Sequence, residues 1–141
     1  QQLLDWDVDL VILAGFMRIL SAQFVQSWQG KMVNIHPSLL PNYKGMHTHQ
    51  RVLNTGDVLH GCTVHYVTAE LDAGQALTQG VLKVSLHDTV ETLSDRIHVL
   101  EHLIYPQAVE WICNNTIQHL DNGEVLYKGQ KLDKPIQFCQ F

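Results

Sequence analysis

Asn34 and His36 stand two residues apart in the run KMVNIH. If that run is a strand, both side chains point to the same face, which aims one amide donor and one titratable donor at a common point. Preorganised donors of this kind stabilise an oxyanion. A third residue, Asp72 in ELDAG, completes the chemistry if it reaches His36. A carboxylate beside the imidazole favours its charged form and makes the histidine a general acid near neutrality. Spacing alone leaves Asp72 equally readable as an ordinary turn aspartate next to a glycine.

A second constellation competes with the first. HVLEH, residues 98–102, has the H-x-x-E-H spacing of a zinc-protease helix and puts His98 and His102 on one helix face. A catalytic zinc needs a third protein ligand and an open position beside a general base. With nine histidines in 141 residues, a pair at this spacing arises readily by chance. Surface or helix-packing histidines are therefore the favoured reading, and no metal is expected. His47 and His49 are alternate residues, which do not face one another on a helix. Cys62 lies inside an alternating segment and reads as a small buried hydrophobe rather than a nucleophile.

The elements that must position these groups follow from pattern. QQLLDWD reads as the last turns of a helix. DLVILAGF is a continuous apolar run, as in a parallel strand covered on both faces. Ser21 is a helix cap for AQFVQSW, with Gly30 as its stop, and KMVNIH follows as the next strand. This is a compact βαβ unit, and ligands in open α/β sheets bind at the carboxyl ends of the strands. Residues 15–20 and the pair Asn34/His36 should then face one another. HTHQRVLNTG reads as a short helix closed by Gly56, GCTVHYVT and QALTQGVLKV as strands, and AELDAG as the polar turn between them. Residues 88–115 have helical periodicity with Asp88 as a capping candidate and Pro106 as a kink or division. TIQHL and EVLYKG around DNG form a hairpin.

Length and charge bound the partners. A chain of 141 residues fits one domain, here 1–141. A formal charge of −5 and the lack of any long basic cluster argue against nucleic acid. Cys62, Cys113 and Cys139 are odd in number and widely spaced, which fits a reducing, cytoplasmic setting. No stretch approaches the roughly 20 apolar residues of a membrane helix, and the acidic flanks of residues 1–20 do not suit a secretory signal. The chain begins at Gln1, inside an amphipathic segment, so a start in mid-domain is expected.

NIHPSLLP, YKGMHTHQ and HGCTVHYVTAELDAG, in that order, resemble the phosphoribosylglycinamide formyltransferases, as do LAGFMRIL before them and EHLIYP after them. G-x-HTH sets this resemblance apart from that to other formyltransferases and to formyltetrahydrofolate hydrolases. The resemblance implies an α/β formyltransferase fold, a mostly parallel open sheet with flanking helices. It implies transfer of formyl from 10-formyltetrahydrofolate to the amine of glycinamide ribonucleotide in purine biosynthesis. Asn34, His36 and Asp72 match the catalytic trio. Met17, Arg18, Ile19 and Leu20 match the folate loop, and Thr68, Ala69, Glu70, Leu71 and Asp72, with Asn34, its second wall. Glu101 matches a substrate-contacting glutamate.

The family's opening strand and glycine-rich phosphate loop have no counterpart here, so the resemblance is to the C-terminal two-thirds of the enzyme. That leaves two alternatives: a formyltetrahydrofolate hydrolase, or a non-catalytic folate- or nucleotide-binding fragment. It also leaves DLVILAGF as an apolar sheet edge, which predicts self-association or pairing with an N-terminal segment, and inactivity of this chain alone.

Overall fold

The computed structural model describes residues 7–15, 18 and 20–141. The helix expected for QQLLDWD and the loop residues Met17 and Ile19 lie outside the described residues, Asp7 apart. In chain order the elements are β1 (Val11–Ile12), α1 (Ala22–Ser27), β2 (Met32–His36), α2 (Thr48–Thr55), β3 (Leu59–Tyr66), β4 (Ala76–Lys83), α3 (Val90–Cys113), β5 (Ile117–His119), β6 (Val125–Tyr127), β7 (Gln130–Lys131) and β8 (Ile136–Gln140).

The main sheet runs β1-β2-β3-β4-β8, and β5-β6-β7 form a small second sheet. This is the expected α/β architecture of an open sheet with helices, but its pairing is mixed rather than mostly parallel. β1/β2 and β4/β8 are parallel, whereas β2/β3 and β3/β4 are antiparallel. For β3/β4 the physical reason lies in the connection: the turn through residues 67–75 is too short for a crossover and returns the chain antiparallel.

Capping chemistry fixes the helices as the sequence suggests, with two differences. Ser21 accepts from the Phe24 amide at 3.2 Å, and Gly56 closes α2 in the left-handed region at φ 78°. α3 is capped by Thr89 rather than Asp88, with reciprocal bonds between Thr89 and Thr92. Asp88 instead accepts from Ser85 N, Thr92 Oγ1 and the Arg96 guanidinium. The helix is also undivided at Pro106. A proline inside a helix costs about 3 kcal/mol, and the buried Leu100, Ile104 and Ala108 on either side hold the helix to the sheet against that cost.

α3 lays Leu93, Ile97, Leu100, Ile104 and Ala108 on the sheet face carrying Val33, Ile35, Cys62 and Val64. Close approach requires Gly80: a Cβ there would lie 2.9 Å from Leu100 Cβ. Val25, Trp28 and Met32 form a second cluster that seats α1, with Leu20 and Val67 packed against it. β3 is buried along nearly its whole length, on both faces, because it is central in the sheet. β1, the strand read as doubly covered, is only partly buried, with Ile12 49% exposed at the sheet edge.

Candidate active site

Antiparallel pairing of β2 with β3 sets Asn34 opposite His65 and His36 opposite Thr63. Opposed residues share a face, so β2 and β3 together present Asn34, His36, Thr63 and His65 on the side away from α3. The turn after β3 brings Asp72 over that face with φ 55°, a left-handed conformation uncommon outside glycine. Gly74 makes the turn possible, since a Cβ there would stand 1.6 Å from the Tyr66 carbonyl oxygen.

Asp72 Oδ2 lies 3.4 Å from His36 Nδ1, and its Oδ1 lies 3.8 Å from His65 Nε2. Oδ2 also accepts from the Gly45 amide at 3.0 Å. His36, fully buried, donates from Nε2 to the Tyr43 carbonyl at 2.8 Å. A carbonyl only accepts, so this bond assigns a proton to Nε2 and leaves Nδ1 turned to the carboxylate. The long-range contact expected between His36 and Asp72 is present.

Asn34 and Asp72 line a narrow cleft, about 20 Å³ in volume, with Arg18, His65, Val67, Thr68, Glu70 and Leu71. Beside it, Val67 and Thr68 also line a larger hollow of about 210 Å³ against Ala22, Val25, Gln26, Gln29 and Ala69. His36 sits behind Asp72 with its nitrogens turned to protein groups, so it does not share Asn34's aim into the cleft. Among the residues expected on the folate side, Arg18, Thr68, Glu70, Leu71 and Asp72 come together at this cleft and Ala69 at the hollow. Leu20 packs beneath α1.

Glu101 does not join them among the described residues. It is half-buried on α3, and burial pushes its carboxyl up, opposed by His98 and His102. His98 and His102 are both exposed, and no group of three or more potential metal ligands occurs among the described residues. Cys62 is fully buried on the α3 side of the sheet, and burial pushes its thiol up to about 12, far from a working nucleophile.

Three participants escape a reading of sequence. His65 is one; its alternation with Thr63 along β3 and its register against Asn34 are the signals that place it. Burial lowers its pKa, opposed by the Tyr66 carbonyl and Asp72. Tyr43 and Gly45 contribute main-chain atoms, which leave little trace in residue type. A separate pair lies nearby: His49 Nδ1 and His60 Nε2 are 2.9 Å apart. Burial lowers both, His60 to about 4, with the neighbouring histidine charges acting in the same direction and Asp57 opposing at His60.

A carboxylate–imidazole pair at one wall of a cleft, with an amide on the same wall and the thiol withdrawn to the far face, is built for acid–base group transfer rather than covalent catalysis. The chain belongs to the formyl transferase family, whose model matches residues 1–109. It is 49% identical over 123 residues to the trifunctional purine biosynthetic protein adenosine-3 of Homo sapiens, covering 87% of this chain and 12% of that protein. To the phosphoribosylglycinamide formyltransferase of Escherichia coli (strain K12) it is 44% identical over 124 residues, 88% of this chain and 58% of the relative. The solved phosphoribosylglycinamide formyltransferase of Coxiella burnetii superposes with a TM-score of 0.89 at 45% identity, over 95% of this chain and 63% of the other. The chain thus spans less than two-thirds of each of these relatives.

Proposed function

We propose that residues 1–141 form one formyl transferase domain that serves the transfer of formyl from 10-formyltetrahydrofolate to the amine of glycinamide ribonucleotide in purine biosynthesis. The observation that carries the reading is Asp72, held between His36 and the cleft that Asn34 also lines. The donor set suits a folate: Val67, Leu71 and Val25 offer apolar surface to a flat heterocycle, and Asn34, Thr68 and the turn backbone offer polar groups at its edge. Ribonucleotide phosphate is held, in this reading, by a part of the relatives' length that this chain does not span, and Glu101 is the substrate contact from α3.

The amine nitrogen forms a bond to the formyl carbon, giving a tetrahedral intermediate, and the bond from that carbon to the folate nitrogen then breaks. One proton leaves the attacking nitrogen and one arrives on the departing nitrogen. Asn34 donates to the oxyanion. Asp72, at the cleft wall, exchanges the proton with a water there, and the Gly45 amide together with His36 behind it fixes the carboxylate's position. This division of roles differs from the sequence expectation, in which His36 itself faces the oxyanion, because His36 Nε2 is held on Tyr43. The free thiols Cys62, Cys113 and Cys139 support a cytoplasmic setting.

Formyl release from 10-formyltetrahydrofolate, measured with and without glycinamide ribonucleotide on the chain co-expressed with the N-terminal segment of a relative, tests the reading. Release that depends on the amine supports it. Release without the amine indicates a hydrolase, and folate binding with no release indicates a binding fragment.

A further inference from the structure

The segment between Tyr43 and His47 touches both partners of the acid–base pair, and its conformation is an uncomfortable one. Tyr43, Gly45 and His47 have φ of 54°, 87° and 58°. Non-glycine residues in this region persist only where surrounding contacts over-determine them. The contacts converge on one side chain. Arg51, half-buried on α2, donates from Nη1 to the Lys44 carbonyl at 2.7 Å and to the Met46 carbonyl at 3.1 Å. Its guanidinium carbon stands 5.2 Å from the centre of the Tyr43 ring, within range for a cation–π contact. Tyr43 is further held by its hydroxyl, which donates to Asp57.

We propose that Arg51 is a positioning residue: its guanidinium fixes the Lys44 and Met46 carbonyls and the Tyr43 ring, so that the Tyr43 carbonyl receives His36 and the Gly45 amide meets Asp72. The catalytic consequence rests on the formyl-transfer reading. The geometry is a two-point clamp. The Tyr43 carbonyl orients the imidazole with Nδ1 toward Asp72, as a partner on one ring nitrogen decides what the other presents. The Gly45 N–H holds Oδ2 from the opposite side. Arg51 touches neither His36 nor Asp72 by side chain; it acts through main-chain atoms. Both carbonyls accept from the one Nη1; what a lysine would not reproduce is the planar guanidinium lying on the Tyr43 ring while it donates to them.

The test is made on the full chain with Arg51→Ala and Arg51→Met, the latter keeping an unbranched apolar stem without donors. Imidazole and amide 1H–15N spectra read the two ends of the clamp. In the wild type a slowly exchanging His36 Nε2–H and a protected Gly45 N–H are expected. In both variants the two should exchange at least 10-fold faster, while the proton shared by His49 and His60 stays in place and reports an intact fold. Should Arg51→Ala fail to fold, Arg51→Met carries the same two readings. Unchanged His36 and Gly45 signals in a folded variant overturn the proposal.

Formyl-transfer kinetics, measured on the chain co-expressed with the N-terminal segment of a relative, give the second reading. kcat should fall by about 10-fold or more, within the 10²-fold that a misplacement of about 1 Å can cost, with KM for the folate unchanged. Lost signals with unchanged kcat overturn the positioning role. A wild type that transfers no formyl defeats the functional reading and with it the catalytic role, while the spectra alone still decide whether Arg51 holds the clamp.

Discussion

His36 is bonded on one side and faces a carboxylate on the other: its Nε2 donates to the Tyr43 carbonyl at 2.8 Å, and its Nδ1 stands 3.4 Å from Asp72 Oδ2. The imidazole therefore has one orientation, and Asp72 rather than His36 meets the cleft. Removing Asp72's charge should strip the site of its proton acceptor while leaving the cleft's shape. Asp72→Asn is expected to lower kcat by on the order of 10²-fold or more, the scale of a positioned acid–base group, with KM for the folate nearly unchanged. Wild-type turnover in a folded Asp72→Asn protein would remove Asp72 from the chemistry.

Asn34→Ala isolates the oxyanion donor. Loss of one such donor costs about 10²- to 10³-fold in rate, so kcat should fall by that factor and calorimetric folate affinity should hold. If folate affinity falls as much as kcat, Asn34 is a binding residue and the oxyanion role is wrong.

Much of this site was legible in sequence, and the limits have physical causes. Asn34 and His36 could be paired because strand geometry fixes the facing of alternate residues. Their link to Asp72 could not, since contact between residues so far apart in the chain depends on how β2 and β3 pair; only the family resemblance pointed to it. Helix ends at Ser21 and Gly56 followed from local capping chemistry. Pro106 misled because propensity is local, whereas the burial of Leu100, Ile104 and Ala108 is tertiary. β8 had no signal strong enough to read: it is partly exposed, and its packed side chains, Ile136 and Phe138, are only two. The clamp on His36 was invisible because it is made of a carbonyl and an amide.

The pair of half-buried His49 and buried His60 should make stability fall on acidification. Their folded pKa values are lowered by burial, His60 to about 4, while an unfolded histidine titrates near 6.5. Between those values the unfolded chain binds more protons than the folded one, so stability rises with pH. It is fully present above about pH 6.5 and is lost as pH falls toward 4. At about 1.4 kcal/mol per pKa unit, the shift of His60 from 6.5 to about 4 accounts for on the order of 3–4 kcal/mol. Asp57, His36 and His98 also act on the pair, and Glu101, with its raised carboxyl, works in the opposite sense. Urea unfolding at pH 7 and pH 5 measures the difference, and His60→Asn should shrink it. An equal pH dependence in the variant would place the acid sensitivity elsewhere.

Gly74 tests the turn that carries Asp72. A Cβ at this position would stand 1.6 Å from the Tyr66 carbonyl oxygen, too close for side-chain adjustment alone, so Gly74→Ala must move backbone. The expected cost is about 1–3 kcal/mol, the range for overpacking, together with loss of kcat from a displaced carboxylate. Gly123→Ala serves as the control for open space, because nothing lies within 4 Å of a Cβ there, though its φ of 90° brings local strain. Gly74→Ala with wild-type kcat would show that Asp72 tolerates movement of its turn.

Tyr105 should separate folate binding from catalysis. From α3 its hydroxyl donates to the Leu13 carbonyl, and it lies 3.2 Å from the Val33 carbonyl, which also accepts from Leu13 N. The phenol thus ties α3 to the carboxyl end of β1 and to Val33 near the start of β2. Burial pushes it up from the ordinary tyrosine value, so it stays a donor across the working pH range. The chain leaves β1 through Gly15 toward Arg18, which lines the cleft. Tyr105→Phe removes the hydroxyl, strands a carbonyl and should cost about 1–3 kcal/mol in stability. Because the freed end of β1 leads into the folate side of the cleft, KM for the folate should rise several-fold while kcat changes little, the reverse of the Asn34→Ala signature. A variant with wild-type KM but reduced kcat would mean that the tie serves Asn34 through β2 rather than the folate loop through β1.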